Sequence, residues 1–140
     1  MFSQRIRQVM QGEQLLTLGP QTRVSDAARQ MAGRSLSAVV VVDEDAVVGI
    51  FTERDAVFRV IAQDRDPRAT RLDEVMTPQP VTLDPDKTFG HALALMHERG
   101  IRHVPVVEHG RAVGIVTARD ALDPDMEEFV VEAQRWRSLR

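Results

Sequence analysis

The strongest constraint on this chain is that most of its sequence occurs twice. The stretch Val47–Ala56 returns as Ala112–Ala121, and the match holds without a gap when Thr17–Ala56 is laid on Thr82–Ala121. Every aligned pair is 65 positions apart, and sixteen of the forty pairs are identical. A match of this length is typical of a duplicated structural unit, so the two halves are predicted to share one fold.

Hydrophobic periodicity and turn residues predict the same order of elements in each half: strand, helix, strand, strand, helix. Neither half is long enough to bury its strands alone, so we predict an α+β fold in which two duplicated units pack about a pseudo-twofold axis. In the first half the predicted elements are a short leading helix at 4–10, a strand Leu15–Thr17, a helix capped by Thr22 or Ser25, the strands Ala38–Val42 and Val47–Phe51, and a helix from Thr52 to Gln63. In the second half they are a leading helix Leu72–Met76, a strand Val81–Leu83, a helix capped by Thr88, and the strands His103–Val107 and Ala112–Val116.

Three segments are expected along the chain. The first repeat with its leading helix takes 1–67, the second repeat 68–123, and an amphipathic C-terminal helix 124–140. Polar residues around Pro67 mark the link between the repeats. The apolar stripe from Met126 to Trp136 lies outside the duplication, and it is compatible either with core packing or with a dimer contact.

The repeated motif combines a glycine in a strand with a threonine that can cap the next helix. Gly49 interrupts an apolar strand, which often indicates close approach of another backbone or of a ligand. Thr52 fits a helix N-cap, and Asp55 follows it by three residues. In many helices a pattern of this kind forms a capping box, which stabilises the helix alone. It also suits a ligand, because a helix start attracts phosphate and a carboxylate can accept hydrogen bonds from sugar hydroxyls.

Composition excludes several functional classes. Hydrophobic content of 43% and a net charge of −3 are ordinary for a soluble globular domain and do not indicate a dedicated nucleic-acid binder. The absence of cysteine excludes disulfides and thiol chemistry. The longest apolar run, Ala38–Val42, is too short to cross a membrane, and the N-terminus does not resemble a signal peptide, so a cytoplasmic location is expected.

Neither a metal site nor an enzyme is predicted. The four histidines recur every six residues across a helix, a strand and a turn, which is not a zinc-binding spacing. No nucleophile is paired with a base, and neither a P-loop nor a Gly-x-Gly-x-x-Gly motif is present. The pattern therefore favours a binding protein.

The duplicated motif, Gly–hydrophobic–hydrophobic–Thr–x–x–Asp after a hydrophobic strand, resembles that of the tandem cystathionine-β-synthase (CBS) domain, or Bateman module. The resemblance runs from about Ile6 to Leu122. It implies a regulatory module that binds adenosine compounds (AMP, ADP, ATP, S-adenosylmethionine or NAD-type dinucleotides), signals to an effector protein by association, and pairs into a homodimer.

The resemblance also assigns residues. Aspartates 55 and 120 would hold the ribose, threonines 52 and 117 would face ribose or phosphate, and the motif glycines 49 and 114 would lie beside them. Residues entering the strands would line the base pocket. The implied ligand-binding set is Gly49, Thr52, Arg54, Asp55, Gly114, Thr117, Arg119, Asp120, Thr17, Ala38, Thr82 and His103. Because Ala38 stands opposite His103 in the repeat, the two pockets are expected to differ.

Two other functions stay open from the sequence. One is a dimeric scaffold that recruits partners without a nucleotide. The other is a nucleic-acid-binding accessory that uses Arg135, Arg137 and Arg140, although nucleic acid is the less expected partner.

Overall fold

The computed structural model describes residues 2–10, 14–121, 133 and 135–139. Its elements in chain order are α1 (Ile6–Val9), β1 (Thr17–Leu18), α2 (Val24–Arg34), β2 (Ala38–Asp43), β3 (Ala46–Thr52), α3 (Glu53–Asp55) continued by a π-helix (Ala56–Ile61), α4 (Leu72–Val75), β4 (Thr77–Pro78), α5 (Phe89–Arg99), β5 (His103–Glu108), β6 (Arg111–Thr117) and a 3₁₀-helix (Ala118–Ala121). The C-terminal stripe predicted from Met126 to Trp136 lies largely outside the described residues.

The α+β architecture predicted from the duplication is confirmed. The first sheet has the order β1-β2-β3-β4, with β1 parallel to β2 and the other pairs antiparallel. In the second sheet β5 pairs with β6 in a register that repeats that of β2 and β3: Ala38 lies opposite Thr52, and His103 lies opposite Thr117.

Alternation along the strands separates the core into layers. Val39 and Val41 of β2 point towards the helices of the first repeat. Val40 lies in a different cluster, where it meets Ile50 of β3 and Ile115 of β6. Because side chains alternate between the faces of a strand, each sheet carries its helices on one face and meets the other sheet on the opposite face.

Each leading helix packs on the other repeat. Ile6 of α1 is fully buried among residues of the second repeat, whereas Leu72 of α4 is buried in the first. The backbone bonds are reciprocal: Ile6 N–H donates to the Lys87 carbonyl at 2.9 Å, and Leu72 N–H donates to the Thr22 carbonyl at 2.9 Å. The two repeats are thus interlocked, so a sequence boundary near residue 67 does not separate two independent cores.

A methionine that follows each leading helix explains the glycines of the repeated motif. A Cβ added to Gly114 would lie 2.6 Å from Sδ of Met10, and one added to Gly49 would clash in the same way with Sδ of Met76. The sequence predicted close approach by a backbone or a ligand. The structure shows that a side chain from the other repeat's leading helix makes this approach.

Several local predictions are wrong. The N-cap residue of α2 is Arg23, whose side chain makes no capping hydrogen bond. Neither Thr22 nor Ser25 therefore occupies the N-cap position that was predicted for one of them. Only Leu83 of the predicted strand at 81–83 pairs, in a single bridge to Val106. The edge strand β4 was not predicted. By contrast, Thr88 caps α5 as expected, since its Oγ1 accepts a hydrogen bond from His91 N–H at 3.2 Å.

None of the helices in the described ranges has the length and hydropathy needed to cross a bilayer.

We predict that Gly49→Ala lowers the free energy of unfolding by about 1–3 kcal/mol, because the added methyl group overpacks a filled contact with Met76. Chemical denaturation measures this change. The matched control is Gly33→Ala, since Gly33 lies in α2 and a Cβ added there would meet no atom of another part of the chain within 4 Å. There alanine should stabilise the chain by about 0.5–1 kcal/mol. In a double-mutant cycle, Met76→Ala should recover part of the loss. A Gly49→Ala chain as stable as the parent would contradict the close contact.

Candidate functional site

The first copy of the motif forms a complete capping box. Thr52 N–H donates to Oδ2 of Asp55 at 2.9 Å, and Asp55 N–H donates to Thr52 Oγ1 at 3.3 Å. Asp55 is only 8% exposed, and its Oδ1 lies 3.4 Å from Nε of Arg59. Both carboxylate oxygens of Asp55 are therefore engaged within the protein.

The second copy is more open. Thr117 N–H donates to Oδ2 of Asp120 at 2.9 Å, which reproduces one half of the capping box. Asp120 is partly exposed, and none of the described arginines forms an ion pair with it. The sequence gives the reason for this difference, because the position equivalent to Arg59 is Pro124. In the part of the chain that the structure describes, the other oxygen of the Asp120 carboxylate has no hydrogen-bond or ion-pair partner.

A cleft of about 440 Å³ lies between the two repeats beside the second motif. Its walls are formed by the starts of β2 and β5, the end of β6, and the first residues of α3 and of the 3₁₀-helix. Its lining residues are Gln14, Ser35, Leu36, Ser37, Ala38, Glu53, Arg102, His103, Ile115, Thr117, Ala118 and Arg119. A volume of this size is within the usual range for sites that bind small molecules.

Four of the predicted site residues line this cleft: Ala38, His103, Thr117 and Arg119. Asp120 is next to it in sequence and is hydrogen-bonded to Thr117 N–H. The other predicted residues are not among its lining: Thr17, Gly49, Thr52, Arg54, Asp55, Thr82 and Gly114. Their roles in binding stay predictions.

Sequence reasoning missed two charged residues of the cleft. Glu53 lies inside the motif at a position where the second copy has alanine, and Arg102 immediately precedes the predicted His103. Neither belongs to an identical pair of the repeat. The signal available in the sequence is the change of charge within the unequal pairs Glu53/Ala118 and Ser37/Arg102, of the same kind as the difference between Ala38 and His103.

His103 joins the two repeats at the cleft. Its Nε2 lies 2.8 Å from Oγ of Ser37, which belongs to the other repeat. Burial lowers the pKa of His103 below the ordinary value for histidine, and nearby Glu53 opposes this shift only in part. The ring is therefore neutral at pH 7, where it acts as a hydrogen-bonding partner and not as a fixed positive charge.

A second depression of about 550 Å³ lies along the π-helix and α4. Its lining includes Phe58, Arg59 and Val75, and the ion pair between Arg65 and Glu74, at 2.9 Å, lies on its surface. No predicted site residue lines it. The cleft between the repeats is therefore the candidate site.

Comparison with known proteins agrees with the duplicated motif. The CBS-domain family model matches residues 6–62 and again 72–126. The chain belongs to the CBS-domain family. It is a CBS-domain pair, the kind of unit that serves as a regulatory module. The resemblance inferred from the sequence is thereby confirmed.

Relatives with similar sequences are mostly longer. The chain is 33% identical over 119 residues to an uncharacterized protein, MK0525, of Methanopyrus kandleri, a match that covers 84% of this chain and 60% of the relative. It spans 23% and 57% of two Arabidopsis thaliana proteins that contain CBS domains.

Solved structures of CBS pairs have the same fold. A CBS-domain protein from Burkholderia ambifaria superposes with a TM-score of 0.81 at 31% identity, over 89% of this chain and 96% of that one. The CBS-domain pair of protein MJ0100, solved in complex with 5′-methylthioadenosine and S-adenosyl-L-methionine, gives a TM-score of 0.75 at 27% identity, over 84% and 91% of the two chains.

Proposed function

We propose that this CBS pair binds an adenosine-containing nucleotide or related metabolite in the cleft between its repeats. The ligand class includes AMP, ADP, ATP, S-adenosylmethionine and NAD-type dinucleotides. The module acts by binding and not by catalysis, and it passes the state of the cleft to an effector protein by association. The ligands of the MJ0100 pair, which both contain adenosine, support this class.

The observation that carries the proposal is the composition of the cleft. Leu36, Ala38 and Ile115 give it apolar walls suited to the faces of a purine. Arg119 supplies a guanidinium group that suits a phosphate, and the Thr117 hydroxyl lies in the same wall. Base, sugar and phosphate thus each have chemically matched groups.

Asp120 is the better candidate for the ribose. One of its oxygens accepts the hydrogen bond from Thr117 N–H, and the other has no described protein partner. In the first motif a ribose would have to compete with Arg59 for Asp55. Since the diol of a ribose needs a free acceptor, the half of the cleft beside Asp120 suits it best.

We predict that Asp120→Asn weakens AMP binding by roughly tenfold to a hundredfold, because a hydrogen bond to a charged group contributes about 1.5–3 kcal/mol. Calorimetric titration of AMP and of its 2′-deoxy analogue into parent and variant measures the effect. The parent should prefer AMP, and the variant should lose most of that preference.

Asp26→Asn is the matched control for this titration. It removes the same charge from the first turn of α2, where Asp26 pairs on the surface with Arg29, outside the cleft. Its affinity for AMP should equal that of the parent. A parent chain that binds AMP and the deoxy analogue equally well would refute the ribose role of Asp120.

We also propose that the chain forms a homodimer through a contact that includes the segment 124–140. Trp136 and Leu139 support this, since they are 69% and 84% exposed in the described part of that segment. Exposed large apolar side chains close together are typical of association surfaces.

Sedimentation velocity on the full chain and on a chain ending at residue 123 tests the dimer. The full chain should sediment as a dimer, and the shortened chain should dissociate at concentrations where the full chain does not. Trp136→Ser should act in the same direction, whereas Arg137→Gln, at a neighbouring exposed position, should not. A full chain that is monomeric, or a dimer unchanged by truncation, would refute the proposed contact.

A further inference from the structure

The two repeats bring different charges to the shared cleft. Three pairs of equivalent positions, each 65 residues apart, differ between the repeats. Two pairs differ in residue type, and the third differs in whether the side chain lines the cleft. Ser37 corresponds to Arg102, Glu53 to Ala118, and Arg54 to Arg119. All of these except Arg54 line the cleft.

The second repeat contributes only positive charge to the lining. Arg102 and Arg119 both face the cleft, and the backbone holds their segments together, since Ala118 N–H donates to the Arg102 carbonyl at 3.0 Å. Two guanidinium groups on one wall can bind a phosphate through several parallel N–H donors. Ala118 places no charge between them.

The first repeat contributes negative charge. Glu53 lies in the lining at the position of Ala118, and its N–H donates to the Ser37 carbonyl at 3.0 Å, the same backbone bond as in the second repeat. Among the described residues, no cation forms an ion pair with Glu53. An anion on this side would therefore meet an unneutralised carboxylate.

The arginine of the first motif does not offset this charge. The guanidinium of Arg54 lies over the ring of Phe58, 4.8 Å from its centroid, and Arg54 is not among the lining residues of the cleft. At the position equivalent to Phe58 the second repeat has Asp123. The sequence of the second repeat therefore has no aromatic residue at the position of the ring that holds Arg54.

We propose that Glu53 sets the ligand specificity of the cleft: it excludes phosphate from the first repeat's side, so each chain binds a single phosphorylated ligand against Arg102 and Arg119. The nucleoside part of this ligand rests on the proposed function above. The anion part rests only on the charges of the lining. A repulsive group placed against the wrong ligand is a common source of specificity.

The test exchanges residues between the repeats and uses AMP, adenosine and inorganic pyrophosphate as probes. Calorimetric titration of the full chain should give one AMP per chain. Ala118→Glu should weaken AMP binding by at least about tenfold and leave adenosine within about twofold, because only the phosphate meets the new charge. Ala118→Gln, of similar size and uncharged, is the matched control and should retain most AMP affinity. Glu53→Ala should strengthen the binding of AMP and of pyrophosphate at the single site, because it removes the carboxylate that repels an anion in the cleft.

The outcomes separate this inference from the proposed function. If adenosine fails to bind while pyrophosphate binds once per chain and is lost in Ala118→Glu, the nucleoside function is wrong and the role of the charges stands. Two equal AMP sites in the parent chain, equal losses in Ala118→Glu and Ala118→Gln, or no binding of either AMP or pyrophosphate would each overturn the inference.

Discussion

The contact between a methionine of one repeat and a strand glycine of the other is the constraint on which this structure depends. Met76 lies against Gly49, and Met10 lies against Gly114. Only a residue without a side chain leaves room for this approach. Each repeat therefore completes its core with the leading helix of the other, and the two sheets are held face to face through Val40, among other residues.

This interlocking also creates the cleft. Residues after the carboxyl end of β3 and at that of β6 line one opening, and the two sheets meet beside it through Val40, Ile50 and Ile115. The hydrogen bond between Ser37 and His103 spans that opening. Residues of both repeats line the cleft, so the proposed ligand would contact both repeats at once. This arrangement suits a module that reports ligand occupancy to a partner.

Most of the fold could be predicted because the sequence pattern of each element occurs twice. Strands β2, β3, β5 and β6 and the helices α2 and α5 follow from periodicity that recurs at a fixed offset. The exchange of leading helices could not be predicted, since it depends on long-range packing and Ile6 satisfies the pattern of an amphipathic helix on either repeat. The short strand β4 was not predicted because it contains Pro78, and proline is unfavourable in a strand unless that strand lies at the edge of a sheet. In the structure β4 is such an edge strand.

Two charged residues of the cleft lining, Glu53 and Arg102, were not predicted from the sequence, for a physical reason. Identical pairs such as Thr52 and Thr117 report what both repeats share, and much of that is helix capping and backbone geometry. Charges that differ between the repeats, such as that of Glu53 against the uncharged Ala118, do not occur among the identical pairs. The i,i+4 spacing of Asp55 and Arg59 allows an ion pair, but the same spacing occurs in many exposed pairs, so the sequence alone does not single this one out.

The central claim is that the cleft binds an adenosine compound, and the thermal unfolding of the full chain tests it most directly. Melting temperature is measured with adenosine, AMP, ADP, ATP, S-adenosylmethionine and NAD, and with the guanosine and cytidine counterparts of the nucleotides. A ligand at 100 times its dissociation constant stabilises the folded chain by about 2.7 kcal/mol. We expect a clear rise in melting temperature with at least one adenosine compound and little change with its guanosine or cytidine counterpart. An unchanged melting temperature across the whole panel would contradict it and favour a scaffold without a nucleotide.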